Sequence, residues 1–151
     1  MRGAQYRLVG QISVALPPNE AFVLFTPRGE ERWADGWQPR FPTPAEDDTT
    51  PGTVFETEAG GEHTIWVVLD RKPGRWISYA RVTPGSRAGT VSVALENGDA
   101  GHSDVEVTYA LTAIGPDGDR QLEKFADDYQ DYLKSWESAI AARLASDPSG
   151  T

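Results

Sequence analysis

The chain has 151 residues, the size of one domain. Its 14 Lys and Arg residues against 23 Asp and Glu residues give a formal net charge of −9, which argues against nucleic-acid binding and against docking on an anionic membrane. The absence of cysteine excludes disulfides, thiolate catalysis and cysteine-ligated metal centres. No apolar run approaches the roughly 18 residues of a membrane span. We therefore expect a cytoplasmic domain over residues 1–146, without membrane insertion, and a frayed tail over 147–151.

The first third of the chain predicts one strand followed by two short helices. Apolar residues alternate over 5–16, which is typical of a strand with one buried face. An apolar segment over 21–25, with Asn19 as its N-cap, predicts a first short helix. A Thr-Pro pair opens a second short helix over 26–33. The proline-rich and acidic segment 38–52 predicts an irregular loop.

The rest of the chain predicts an antiparallel meander and one long helix. Strand-like runs separated by Gly, Pro and Asn turn signals cover 53–58, 63–70, 75–82, 87–95 and 102–112. Apolar residues spaced by three and four then predict an amphipathic helix from Asp117 to Ala145, capped by Asp117 or Asp119. The sheet is the expected packing partner of so long a helix.

A family resemblance is carried by six stretches of the sequence. They are 21–27, 29–30, 33–37, 52–55, 79–86 and 129–137. These stretches resemble the START/SRPBCC superfamily and its bacterial polyketide cyclase/dehydrase-like branch. The resemblance implies the helix-grip fold, an α+β arrangement of one strand, two short helices and five to six further strands curved around a long C-terminal helix. It also implies an internal cavity for apolar or aromatic molecules, including lipids, in a superfamily whose members are carriers, sensors, cyclases, hydrolytic domains and co-chaperones.

Hairpin registers predict which side chains face that cavity, because directly paired residues share a face. Centring each turn pairs Phe55 with Trp66, and then Trp66 with Tyr79. Since alternate residues of the last strand are acidic and must face solvent, the predicted inner face consists of Phe55, Trp66, Val68, Ile77, Tyr79, Arg81, Ala88, Thr90, Ser92, Val105, Val107 and Tyr109. The small residues of strand 87–95 would leave space for a ligand. A slip of one residue at any turn would reverse each later assignment.

The opposite face of the predicted sheet is also apolar in its middle strands. It contains Ile65, Val67, Val91 and Val93. This pattern has two explanations, a slipped register or a surface covered by a partner chain, such as a second copy in a homodimer.

Ten residues are candidates for contact with a small molecule. They are Trp33, Trp37, Phe55, Trp66, Tyr79, Arg81, Thr90, Tyr109, Phe125 and Tyr129. Arg81 would anchor a ligand carboxylate or phenolate, and the alternative is a salt bridge at the sheet edge with Glu58, Glu62 or a helix acid. Trp33 and Trp37 would form either an aromatic lid or the end of the core. The remaining aromatic residues would belong to the core or offer hydroxyl groups to a ligand.

Binding of an apolar or aromatic small molecule is the leading hypothesis for function. A polyketide cyclase/dehydratase-like enzyme is the second, because the predicted inner face has tyrosines and Arg81 but no histidine or carboxylate, and no catalytic residue can be assigned. A co-chaperone-like interaction module that uses the outer face is the third. His63 and His102 both lie beside predicted turns, and we expect neither a metal nor a cofactor.

Overall fold

Six antiparallel strands form one curved sheet in the computed structural model, which describes residues 3–146. Their spatial order is β1-β6-β5-β4-β3-β2. The strands are β1 (Gln5–Val14), β2 (Val54–Thr57), β3 (Thr64–Lys72), β4 (Trp76–Thr83), β5 (Arg87–Asn97) and β6 (Ser103–Ala113). Each predicted strand is confirmed, and the expected frayed tail lies outside the described residues.

The helices follow the predicted order, although their boundaries differ. Helix α1 (Pro18–Ala21) continues into a 3₁₀ turn over Phe22–Phe25, and a second 3₁₀ helix covers Gly29–Arg32. The long helix predicted over 117–145 is instead two helices, α2 (Gly115–Asp127) and α3 (Tyr129–Ser146). None of the helices in residues 3–146 combines the length and hydrophobicity that crossing a membrane requires.

The predicted helix caps at Asn19, Asp117 and Asp119 are wrong, since Asp117 too lies inside α2, which follows Ile114. Asn19 lies inside α1, which begins directly after Pro17. Asp119 lies inside α2, where its carboxylate accepts a hydrogen bond from the backbone N–H of Ala4 at 2.8 Å. It therefore ties the start of the chain to the helix rather than capping it.

The observed pairing of β3 with β4 differs from the predicted pairing by two residues, and each side chain stays on its predicted face of the sheet. Phe55 pairs with Trp66 as predicted, but a wider turn, with Lys72 opposite Trp76, and a bulge between Val68 and Asp70 together place Trp66 opposite Arg81 instead of Tyr79. Because the side-chain period of a strand is two, a shift of two leaves the same residues on the inner face. The orientation of β3 and β4 was therefore predicted correctly with the wrong partners.

The turn between β4 and β5 reverses the predicted face of β5. Thr83 pairs with Arg87, so the turn contains three residues rather than two, with Gly85 at a φ of 77°. This shift of one residue places Ala88, Thr90 and Ser92 on the outer face and Gly89, Val91, Val93 and Leu95 on the inner face. The prediction that the small residues of β5 line the inner face is therefore wrong. Part of the apolar character assigned to the outer face came from this slip.

Helix α3 packs across β1 because Gly10 leaves room for it. Gly10 lies opposite Val107 on the inner face of the sheet. A Cβ atom at Gly10 would collide with the Leu133 side chain of α3. This close approach seals one side of the interior, and the space for a ligand lies further along α3.

Candidate functional site: an internal cavity

A cavity of about 460 Å³ lies between the inner face of the sheet, α3 and the second 3₁₀ helix. Small-molecule pockets range from about 300 to 1,000 Å³, so the space suits a ligand of moderate size. Its aromatic walls come from Trp33, Trp37, Trp66, Tyr79, Tyr109, Tyr132 and Trp136. Its polar lining includes Glu30, Thr57, Glu62, Thr64, Arg81 and Arg87.

Six of the ten predicted site residues line this cavity. They are Trp33, Trp37, Trp66, Tyr79, Arg81 and Tyr109. Thr90 is exposed on the outer face, because the three-residue turn before β5 reversed that strand. Phe55 lies outside the lining and stacks on Trp66, with ring centroids 5.7 Å apart and planes only 2° from parallel.

The two predicted helix residues, Phe125 and Tyr129, belong to the core around the cavity rather than to its lining. Phe125 packs its ring edge-on against Tyr109 at 5.2 Å. The hydroxyl of Tyr129 donates a hydrogen bond to the backbone carbonyl of Val107 at 2.7 Å. The sequence left two roles open for these aromatic residues, core packing or hydrogen bonding to a ligand. The structure places both in the core, and the Tyr129 hydroxyl is already bonded to Val107.

Backbone hydrogen bonds fix two tryptophans at the mouth of the cavity. The indole N–H of Trp33 donates to the carbonyl of Leu24 at 2.8 Å, and that of Trp37 donates to the carbonyl of Pro27 at 2.8 Å. Trp33 is buried against Trp136, with ring centroids 5.3 Å apart, whereas Trp37 stays half-buried. With their polar atoms satisfied, both rings present apolar surface to the cavity.

Arg81 carries a buried charge without a carboxylate partner among residues 3–146. Its residue exposure is 9%, and burial lowers the pKa of its guanidinium, although arginine remains protonated. One Nη atom donates to the Thr83 hydroxyl at 2.6 Å, and the guanidinium lies 5.0 Å from the ring centroid of Trp66. The Nε atom is buried with no hydrogen-bond partner.

The expected alternative for Arg81, a salt bridge at the sheet edge, does not form with either predicted acid. Glu58 pairs with Arg40 at 3.1 Å. Glu62 pairs with Arg87 through both of its carboxylate oxygens, at 2.9 and 3.1 Å. The nearest suitable acids are therefore already neutralised, which leaves the Arg81 charge facing the cavity.

Glu30 is the functional candidate that the sequence analysis missed. It comes from the second 3₁₀ helix, three residues before Trp33, and residues at this spacing lie on the same side of such a helix. Glu30 is half-buried and lines the cavity. This burial raises the pKa of Glu30 well above its usual value of 4.5. The prediction considered only the inner face of the sheet, and the carboxyl group of Glu30 reaches the cavity from the second 3₁₀ helix instead.

Three tyrosine hydroxyls complete the polar lining and stay protonated. Tyr79 donates to the carbonyl of Phe25 at 2.7 Å, while the hydroxyls of Tyr109 and Tyr132 lie 3.3 Å apart. Burial raises the pKa of all three. They can donate hydrogen bonds at neutral pH, but they cannot act there as bases.

The histidines lie apart from the cavity lining. His63 contacts Glu56 at 2.7 Å, and His102 occupies the turn before β6. Within residues 3–146, no group of three potential metal ligands comes together.

The described chain is thus an α+β protein of the helix-grip class, with a cavity between its curved sheet and its C-terminal helices. No protein-family model and no curated protein sequence matches it.

Solved structures share this fold at low sequence identity. The aromatase/cyclase Zhui of Streptomyces sp. R1128 matches with a TM-score of 0.64 and 13% identity, over 97% of this chain and 99% of that chain. CalU16 of Micromonospora echinospora matches with a TM-score of 0.59 and 17% identity, over 94% and 89%. DynU16, from the dynemicin biosynthetic locus, matches with a TM-score of 0.64 and 17% identity, over 93% of this chain and 47% of that chain. The resemblance to polyketide cyclase-like proteins is confirmed at the level of fold.

Proposed function

We propose that this protein binds an apolar or aromatic small molecule in the cavity between the sheet and α3. The cavity itself is the observation that carries the proposal. Protein interiors are packed about as densely as organic crystals and seldom leave a void larger than a water molecule. A partly open space of about 460 Å³ walled by aromatic rings departs from such packing, and it has the size and character of a small-molecule site.

Native mass spectrometry of the freshly purified protein, beside its denatured mass, tests this proposal. We expect an adduct of a few hundred daltons that leaves on denaturation. We also expect N-phenyl-1-naphthylamine, a neutral probe, to gain fluorescence when it enters the apolar cavity. A clean mass together with no probe binding would contradict the proposal.

A matched pair of valine substitutions locates the probe. Val91→Phe adds a ring to a buried residue of the cavity lining, and we expect it to abolish probe binding. Val82→Phe makes the same change at a side chain that is 40% exposed outside the cavity, and probe binding should persist. Equal loss in both variants would place the probe elsewhere.

Glu30 favours a second candidate function, an enzyme of the cyclase or dehydratase type; the structural neighbour Zhui is an aromatase/cyclase. A carboxyl group with a raised pKa is suited to general acid–base catalysis at neutral pH. In a dehydration, the Glu30 carboxylate takes the proton α to a ligand carbonyl and delivers it to the departing β-hydroxyl. The carbon–oxygen bond breaks, a carbon–carbon double bond forms, and water leaves without any co-reactant.

Glu30→Gln separates the two candidates. For an enzyme, this variant should lose turnover of a β-hydroxy ketone while it still binds N-phenyl-1-naphthylamine. If neither the original chain nor the variant changes the compound, as followed by mass spectrometry of the reaction mixture, the binding function stands and the enzymatic one is excluded for that substrate.

A further inference from the structure

Arg81 has no anionic partner among residues 3–146. The guanidinium is buried in the cavity wall, its Nε atom has no hydrogen-bond partner, and its Nη2 atom donates to a neutral hydroxyl. Glu62 lies close enough to influence Arg81, but Arg87 holds both of its oxygens. A buried cation is costly unless a carboxylate or a ligand compensates it. Within the described residues, the protein supplies no such carboxylate, and the open side of Arg81 is the cavity.

A second polar group faces the same space. Among residues 3–146, the carboxyl group of Glu30 has neither a cation nor a hydrogen-bond donor as a partner. Glu30 and Arg81 both act electrostatically on the hydroxyls of Tyr109 and Tyr132. The two unpartnered groups therefore border one cavity without forming an ion pair with each other.

The walls between these groups determine the shape of the ligand. Trp37 packs edge-on against Trp66 with centroids 5.4 Å apart, and Trp33 packs against Trp136. Rings held in place by such contacts favour a flat ligand, which gains stacking and edge-to-face contacts as it enters. The arrangement thus combines apolar planar walls with one positive and one carboxyl group.

We propose that the cavity holds an aromatic hydroxy acid, whose carboxylate pairs with the Arg81 guanidinium and whose ring hydroxyl is hydrogen-bonded to the Glu30 carboxyl. This assignment rests on the proposed binding function and names the chemical class of its ligand. A guanidinium matches a carboxylate through two parallel hydrogen bonds, and Arg81 lines the cavity with one side-chain hydrogen bond of its own, to Thr83. In either protonation state, the Glu30 carboxyl accepts a hydrogen bond from a ring hydroxyl.

The overall charge of −9 opposes the entry of an anion, but the local field of Arg81 is stronger inside the cavity. At physiological ionic strength, salt screens exposed charges beyond about 8 Å. The buried guanidinium is screened far less. The surface charge therefore affects mainly the rate of association, and Arg81 determines the affinity.

Three naphthalene compounds test the assignment. They are 6-hydroxy-2-naphthoic acid, its methyl ester and 2-naphthoic acid, each measured at pH 7 by displacement of N-phenyl-1-naphthylamine. We expect the hydroxy acid to bind about tenfold or more tighter than its ester, because the charge-assisted pair with Arg81 is lost in the ester. We expect 2-naphthoic acid to bind severalfold more weakly than the hydroxy acid, because it lacks the hydroxyl that meets Glu30.

Variants assign each preference to its residue. Arg81→Met should remove the preference for acid over ester, whereas Arg75→Met, which removes an exposed arginine outside the cavity lining, should leave it unchanged. Glu30→Gln should reduce the preference for the hydroxy acid over 2-naphthoic acid. If Arg81→Met does not fold, the comparison of acid with ester on the unaltered chain still decides the question.

Two outcomes overturn this inference in distinguishable ways. If the ester binds as tightly as the acid while N-phenyl-1-naphthylamine also binds, the cavity function holds and the acid assignment is wrong. If none of the three compounds and no neutral probe binds, the binding function itself fails, and this inference fails with it.

Discussion

Replacing Gly29 with alanine should lower the melting temperature of this protein by about 5–10 °C, which corresponds to about 2–3 kcal/mol of lost stability. Gly29 begins the 3₁₀ helix that carries Glu30. Its N–H donates to the Thr26 hydroxyl at 3.1 Å, and that hydroxyl donates to the carbonyl of Val23 at 2.8 Å. A Cβ atom at Gly29 would collide with this same carbonyl oxygen. Because a backbone group cannot rotate away as a flexible side chain can, the whole turn must shift.

The sign of this effect is what makes the Gly29 prediction informative. In a helical segment, alanine normally stabilises relative to glycine by about 0.5–1 kcal/mol, so local propensity alone predicts the opposite result. Gly60 provides the control, since it has a φ of 64° with open space around its Cβ position. Gly60→Ala should cost only about 1–2 kcal/mol through its left-handed backbone. Thermal unfolding of both variants decides between them, and a stabilised Gly29→Ala would show that the collision is easily relieved.

Glu30→Gln should make the protein more stable at pH 8 and leave it nearly unchanged at pH 4. Burial raises the folded-state pKa of Glu30 above its usual value of 4.5. The stability associated with the neutral carboxyl is then fully present below about pH 4.5 and is lost as the pH rises through the folded pKa. Glutamine never ionises, so the variant avoids this loss. We expect a gain on the order of 1–3 kcal/mol at pH 8.

The other groups around Glu30 do not obscure this comparison. Tyr79, Tyr109 and Tyr132 remain neutral from pH 4 to 8, because burial raises their pKa values, and Arg81 remains charged. Urea unfolding at pH 4, 6 and 8 measures the effect, with Glu31→Gln as the control at an exposed neighbour. If both variants show the same dependence on pH, Glu30 is not buried in the way that the structure describes. A variant that is more stable but binds the hydroxy acid less well would identify Glu30 as a residue kept for function.

The aromatic and charged residues of the site differ in how far the sequence predicted them. Trp66, Tyr79 and Arg81 were placed correctly on the inner face, because the register error between β3 and β4 was two residues and preserved the face. Thr90 was placed wrongly because the next error was one residue. The length of each turn and the number of bulges together determine which face of the sheet a side chain occupies. The residue types of a turn do not distinguish a two-residue turn from a three-residue turn, so the face of the next strand could not be predicted from them.

The sequence by itself determined the order of elements and the apolar interior of this protein, because strand alternation and helical spacing are local patterns that residues impose on their own neighbours. The helix-grip class followed from the family resemblance of six stretches of the sequence. Only the tertiary structure decided that Glu30 reaches the cavity and that Arg81 has no ion-pair partner in the described part of the chain, residues 3–146. Both facts depend on contacts across the fold: the tight turn at Gly29 directs Glu30 inward, and Arg87 captures the carboxylate of Glu62. Local periodicity carries no information about such competition between distant side chains. The packing of the sheet against the helices determines it.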